Sequence, residues 1–422
     1  MEHDDFIQSY FSYIGDTEAP ITFHRWSCLS ILGAWIGRDY RFRHGHFNIK
    51  PNLYTMLMGS AGSRKSTAIK IAARLLRSAG YTKVAAERST KEKFLLDLAG
   101  VVFDPVGADK EVIDSDKILE LNLFGESEPH ISETLIAADE FNTFIGNGNI
   151  EFLSMLGVLW DYEGVFENKV KNSKSVKIDN PFVSILSGNT PTGFSLAFPA
   201  EAIGQGIFSR LILIHGEATG KRITFPVAPT ESATTEMVDR LVAIKQVVSG
   251  DAKLTHDAET LLDKIYQTET AVIPDIRFDS YMQRRFNQLI KLCLILSGSN
   301  MRTVITDIDV VYANTILTHA EHSMPKALGE FGKGKNSDVS HKLIQILESS
   351  YEPISLKSLW KQLHNDLEDI NKLKDILGNL LIAEKIISGG GGFLARRKIL
   401  AEKSSSTTDF TLLSTEERQI VS

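Results

Sequence analysis

Between residues 59 and 67 the chain reads Gly59-Ser60-Ala61-Gly62-Ser63-Arg64-Lys65-Ser66-Thr67. Small residues followed by a lysine and two hydroxyls suit a loop that wraps its backbone N–H groups around an anion. In such a loop the lysine reaches the β- and γ-phosphates of a nucleoside triphosphate, and the next hydroxyl, Ser66, holds Mg²⁺. The usual pattern has glycine before the lysine. Here Arg64 stands there, which fits if its φ stays negative and its side chain points to solvent. A second run, Leu135-Ile136-Ala137-Ala138-Asp139-Glu140, is apolar and ends in two acids. Asp139 is the candidate for the Mg²⁺ shell and Glu140 for polarising an attacking water. A third apolar run ends in Ser187-Gly188-Asn189-Thr190-Pro191. The Asn189 amide could orient that water and touch the γ-phosphate; an ordinary Asn-Thr-Pro turn is the plainer reading. Finally, Gly204-Gln205-Gly206-Ile207-Phe208-Ser209-Arg210 sets an arginine just before another apolar run. Arg210 is either a surface ion-pair partner or an arginine finger, acting on the phosphate site of the next subunit.

These residues need elements to hold them. A strand at 53–58 leads into the glycine loop, and a helix at 68–79 leaves it with its positive dipole end under the phosphates. The short apolar runs at 135–138, 182–188 and 211–214 read as buried parallel strands. Ligands of open α/β sheets sit at the carboxyl ends of such strands, where the acids and the amide fall.

Taken in order, the glycine loop, the acid pair, the Ser-Gly-Asn-Thr-Pro strand and the Phe-Ser-Arg loop resemble the helicase-type ATPases of phages and mobile elements. These form a primase-helicase module group, similar to ring ATPases of the AAA+ kind. The resemblance covers roughly residues 5–325. It implies an α/β fold with a P-loop NTPase (AAA+/RecA-like) core, a helical N-terminal segment, a helical lid and a C-terminal winged helix. It also implies ATP hydrolysis with Mg²⁺, coupled to movement on DNA in phage or plasmid replication by a ring oligomer, a hexamer. A primase or another replication protein is the partner it points to. Two alternatives stay open: an ATPase switch that loads or remodels proteins without unwinding, and an ATP-assembled DNA-binding initiator.

The composition agrees with a globular chain of two or three domains: 422 residues, 43% hydrophobic and 23% charged. Cys28 and Cys293 are too few and too far apart for a disulfide framework, which fits a reducing cytoplasm. No apolar stretch approaches membrane-spanning length, and the acidic start at Met1-Glu2-His3-Asp4-Asp5 lacks a signal-peptide layout. A formal net charge of −7 excludes a uniformly basic DNA binder but not a ring with a basic pore. Positive charge is concentrated between the acid pair and the Asn189 strand. Lys169, Lys171, Lys174 and Lys177 lie around a predicted β-hairpin with an Asn172-Ser173 turn. In AAA+-related helicases a hairpin inserted there points into the pore, where lysines grip single-stranded DNA without reading its sequence. A solvated lysine-rich loop is the other reading.

The remainder divides by composition into an N-terminal segment (1–50), the ATPase core (51–226), a lid (227–330), a linker (331–338), a winged helix (339–400) and a Ser/Thr-rich tail (401–422). Two helices, the second at 23–36, and a strand pair about a His44-Gly45 turn are predicted in the first of these. His44 and His46 lack a third metal ligand at useful spacing. A capping box with Ser89 as N-cap and Glu92 opens the helix after the short strand Val84-Ala85-Ala86. Residues 101–133 read as an acidic insertion. In the lid the resemblance implies that Arg284 or Arg285 approaches the γ-phosphate, and Thr306 caps the next helix. At the predicted wing, Arg396, Arg397 and Lys398 could meet phosphates.

Overall fold

Helices α1 (Phe6–Ile14) and α2 (Ile21–Ile36) open the computed structural model. It describes residues 6–100, 132–169, 176–198, 206–268, 273 and 275–329. In a second compact unit it describes 337–350, 352–364, 367, 369–382, 385–389 and 391–395. Residues 101–131 of the predicted insertion, the tip of the lysine hairpin, Gly204 and Gln205, most of the linker and the basic wing residues Arg396, Arg397 and Lys398 fall outside these, as does the tail; Glu133, at the end of the predicted insertion, already belongs to the buried strand Glu133–Ala138.

Helix α2 is buried almost all round, Trp26, Leu29, Ile31 and Leu32 included, which is the pattern of a helix sandwiched within a core. Its Gly33 permits this: a Cβ there would lie 2.2 Å from the Pro51 carbonyl oxygen. An antiparallel pair follows, β1 (Tyr40–His44) and β2 (Phe47–Ile49), with His44 opposite Phe47 and Phe42 opposite Ile49.

The central sheet is parallel and has the order β4-β7-β3-β8, where β3 is Tyr54–Met58, β4 Glu133–Ala138, β7 Phe182–Asn189 and β8 Leu211–His215. Between β4 and β7 in sequence lies the antiparallel pair β5 (Val165–Asn168) and β6 (Val176–Asp179). Val84 adds a parallel bridge to Leu135 on the free side of β4. Every residue of β3 and β7 is buried, which is why these segments carry apolar runs instead of alternation. Helix α3 (Lys65–Ser78) packs its Ala68, Ile69, Ala72, Leu75 and Leu76 stripe inward. It begins three residues earlier than its apolar periodicity indicates, because Lys65-Ser66-Thr67 continues the first turn.

Helices Glu231–Val247, His256–Thr268, Arg285–Ser299 and Asp307–Leu328 share one hydrophobic core with the sheet. Thr306 caps the last of them in a full capping box with Asp309. The helix Lys91–Leu98 departs from expectation: its N-cap is Thr90, not Ser89, and Thr90 accepts from the Lys93 amide. The second unit has its own core of Leu343, Leu347, Leu359, Leu373 and Ile376. Helices Ser337–Glu348, Leu356–Leu363 and Ile370–Ile382 build it with an antiparallel pair Ile386–Gly389 and Gly392–Ala395, bridged by Ile354 to Phe393. Among the described residues no helix is long and apolar enough to cross a membrane.

Candidate functional site

The glycine loop leaves the carboxyl end of β3, and the parallel register fixes its neighbours. Met58 pairs with Asn189 on one side and with His215 on the other. Asp139 and Glu140 follow directly on β4, the strand beyond β7. The loop itself is tight. Gly59 could carry no side chain, since a Cβ would meet the Gly216 carbonyl oxygen at 2.3 Å and Ser63 Oγ at 2.8 Å. Ser63 closes the turn through its Oγ on the Ser60 carbonyl, 2.9 Å away.

Lys65 folds back across this loop. Its Nζ donates to the carbonyl oxygens of Gly59 (2.9 Å) and Ser60 (2.8 Å) and to Ser63 Oγ (3.1 Å). Burial pulls the ammonium below the usual lysine range, while Glu140 pulls it back up. All three acceptors are neutral oxygens, which an anionic oxygen outcompetes. Asn189 is buried. Its Oδ1 accepts from the Thr190 amide at 2.9 Å, and its Nδ2 has no partner among the described residues. A buried donor facing no acceptor beside an N–H-rich loop fits an acceptor ligand at this edge. Gly193 makes room for the amide: a Cβ there would fall 2.2 Å from Asn189 Oδ1.

Ser66, Asp139 and Glu140 line one cleft of about 650 Å³, with Lys70, Arg74, Arg77, Glu87 and Thr143 around it. Ser66 and Asp139 bring two side-chain oxygens from two elements to this cleft. Mg²⁺ commonly takes one or two carboxylates or hydroxyls from protein and the rest from phosphates and water. Lys70, one turn after Ser66 on α3, forms an ion pair with Asp139 at 2.6 Å. Sequence reasoning missed it; its spacing of four from Ser66 was the available signal.

Two expectations about arginines are corrected. Arg64 has φ 65°, in the left-handed region, not a negative φ. Its guanidinium is held by Glu18 at 2.5 Å and is half exposed. Glu18 also accepts from the Ile223 amide at 2.8 Å. It thus ties the N-terminal segment to the glycine loop and to the segment after β8, and these contacts offset the strain of a non-glycine left-handed residue.

Arg285 is not available to a phosphate. It is buried, with its Nε 2.9 Å from Glu321 and its Nη2 bonded to Asn314 and Thr318. The Tyr281 hydroxyl donates to the same carboxylate at 3.0 Å. This network joins helix Arg285–Ser299 to helix Asp307–Leu328. Glu321→Ala removes the carboxylate that faces this buried guanidinium and should lower the unfolding free energy by about 3–5 kcal/mol. Denaturant titration checks it, and an unchanged midpoint would mean that the network is not structural.

Arg210 ends the turn Phe208–Arg210 at the amino end of β8. Its guanidinium lies over the Trp160 ring, 5.6 Å from the centroid, and donates to the Gly206 carbonyl; its Nε has no partner among the described residues. Trp160 is in turn packed under the fully buried Lys291, whose Nζ bonds Asp161 (2.7 Å), Asn52 (2.7 Å) and the Lys50 carbonyl (2.9 Å). Gln288 donates to the Arg210 carbonyl at 2.9 Å, and Arg284 stands one helical turn before Gln288. Arg284 therefore accompanies Arg210 at the amino edge of the sheet, and its charge, after burial, disfavours the Arg210 cation. Neither is beside its own glycine loop. The five residues of β3, at about 3.3 Å each, separate the two edges by roughly 16 Å.

Of the lysine hairpin, β5 and β6 pair as predicted, with Phe166 opposite Ile178. Lys169 lies 3.4 Å from Glu167 and is largely exposed, as is Lys177; Lys171 and Lys174 lie outside the described residues. No protein-family model matches the chain, and no curated protein is significantly similar to it.

Proposed function

We propose that this chain is an ATP hydrolase with a P-loop, AAA+-like core, working as a ring that moves along single-stranded DNA. The observation that carries the reading is the shared carboxyl edge. Glycine loop, Asn189 and Asp139-Glu140 leave three adjacent parallel strands in the order β3, β7, β4. In the proposed site Lys65 and the loop amides hold the β- and γ-phosphates, and Ser66 and Asp139 hold Mg²⁺. Glu140 polarises water that Asn189 orients. ATP supplies a phosphoanhydride whose hydrolysis releases free energy; the residues position, neutralise and deprotonate. Arg210, with Arg284 beside it, would serve the site of a neighbouring copy, because both lie at the opposite edge from their own loop. The second unit, three helices and a strand pair among its described residues, supports the winged-helix reading.

The DNA part rests on the β5–β6 hairpin, with exposed Lys169 and Lys177 toward the turn-side end of its described strands and Lys171 and Lys174 between them in the sequence. ATPase rate measured with no DNA, blunt duplex and forked duplex tests it: stimulation by the fork alone is expected of a translocating helicase. Lys171→Ala with Lys174→Ala should weaken single-strand binding for every sequence alike and flatten its salt dependence, since fewer counterions are released. Basal ATPase should survive. Wild-type affinity and salt slope in that double variant would remove the hairpin from the DNA path.

A further inference from the structure

We propose that the β1–β2 hairpin is a second single-stranded DNA contact, an aromatic platform whose outermost ring, Phe47, stacks on a base. The inference rests on the reading of the chain as a DNA-binding motor. Phe47 is 70% exposed, on a hairpin fixed from both sides. In an antiparallel pair, directly opposed residues share a face and alternate residues return to it. The register therefore puts Phe42, His44 and Phe47 on one face. On that face His44 stacks on Phe42 (centroids 6.3 Å apart) and lies 5.9 Å from Phe286; Phe286 in turn meets Tyr266 at 4.8 Å. His44 and Tyr266 are exposed as well. An exposed ring beside a packed aromatic cluster offers a base a π-face, and stacking tolerates any sequence because every base has a π-face.

A nucleic-acid strand also needs positive charge near the rings. On the opposite face of β1, Arg41 and Arg43 share a single carboxylate, Asp251, at 2.8 and 2.7 Å, leaving one positive charge in excess. The hairpin is also locked to the root of the lysine hairpin. Asn48 Nδ2 donates to Glu163 at 3.0 Å, and the Arg38 guanidinium donates to the Asp179 carbonyl at 2.9 Å. A strand held by phosphate contacts at Lys169 and Lys177 would thus find aromatic rings on the adjoining hairpin.

The test is equilibrium binding of a fluorescent oligothymidylate to the full chain across a salt series. Phe47→Ala should weaken binding by roughly five- to a hundredfold with the slope of log affinity against log salt unchanged, because stacking releases no counterions. Phe47→Trp should keep the affinity, and Phe47→Leu should behave like the alanine variant. Exposure of the side chain makes misfolding a poor explanation, and a thermal melt of each variant checks this. Wild-type affinity in Phe47→Ala, full rescue by leucine, or a loss that tracks only a fall in oligomer mass would each overturn the platform. If the wild-type chain binds no single strand, the DNA reading itself fails; if it does and Phe47→Ala matches it, the platform alone fails.

Discussion

Lys65→Ala should abolish ATP turnover while the protein still folds. The side chain makes its three hydrogen bonds within its own loop, so its removal leaves neutral oxygens that water or a loop donor can satisfy. On the proposed reading, what would be lost is the loop ammonium that neutralises charge building on the transferring phosphoryl group. Removing a single preorganised donor of this kind costs about 10²–10³-fold in rate, and here the donor is a cation. Glu140→Gln is the companion variant. It keeps shape and hydrogen bonding but cannot accept a proton, so ATP binding should persist while hydrolysis falls by roughly 10²–10⁴-fold. Nucleotide binding by thermal shift and turnover by phosphate release separate the two outcomes. Undiminished hydrolysis in Lys65→Ala would reject the nucleotide site as assigned. Normal turnover in Glu140→Gln would assign the water to another residue.

The second large effect belongs to Arg210. Located at the amino edge of β8 and braced on Trp160, it is separated from its own glycine loop by the full length of a strand. A role in phosphoryl transfer must therefore be played on another copy. Arg210→Ala should lower turnover by about 10³-fold or more, as loss of an arginine finger does, with nucleotide affinity of each protomer little changed. Mixing Arg210→Ala protein with Lys65→Ala protein should restore part of the activity, because one shared site then has an intact loop and an intact finger. Absence of rescue, together with a monomeric mass in ATP, would exclude the trans arrangement. Arg284→Ala should follow Arg210→Ala in this mixing experiment, since the two arginines share an edge.

The sequence by itself determined the strand–loop–helix around Lys65, the buried strands that end at Asp139 and Asn189, and the hairpin between them. Each is a local signal: an apolar run of strand length, a cluster of small residues, a reversal between alternating segments. It also located Thr306 as a cap, because capping is settled within four residues. Pairwise choices across the chain were decided only by the tertiary structure. Arg284 and Arg285 are neighbours on a polar-looking helix start, yet Arg285 is committed to Glu321, which lies on a different helix and is fully buried. Nothing in the spacing of either residue announces that pair. Arg64 takes a left-handed backbone and meets Glu18, which also holds the segment after β8, and Lys70 meets Asp139 because α3 lies beside β4. Periodicity tells which face of an element is buried; which charge meets which across that burial is set by packing, where an unpaired ion would cost several kcal/mol.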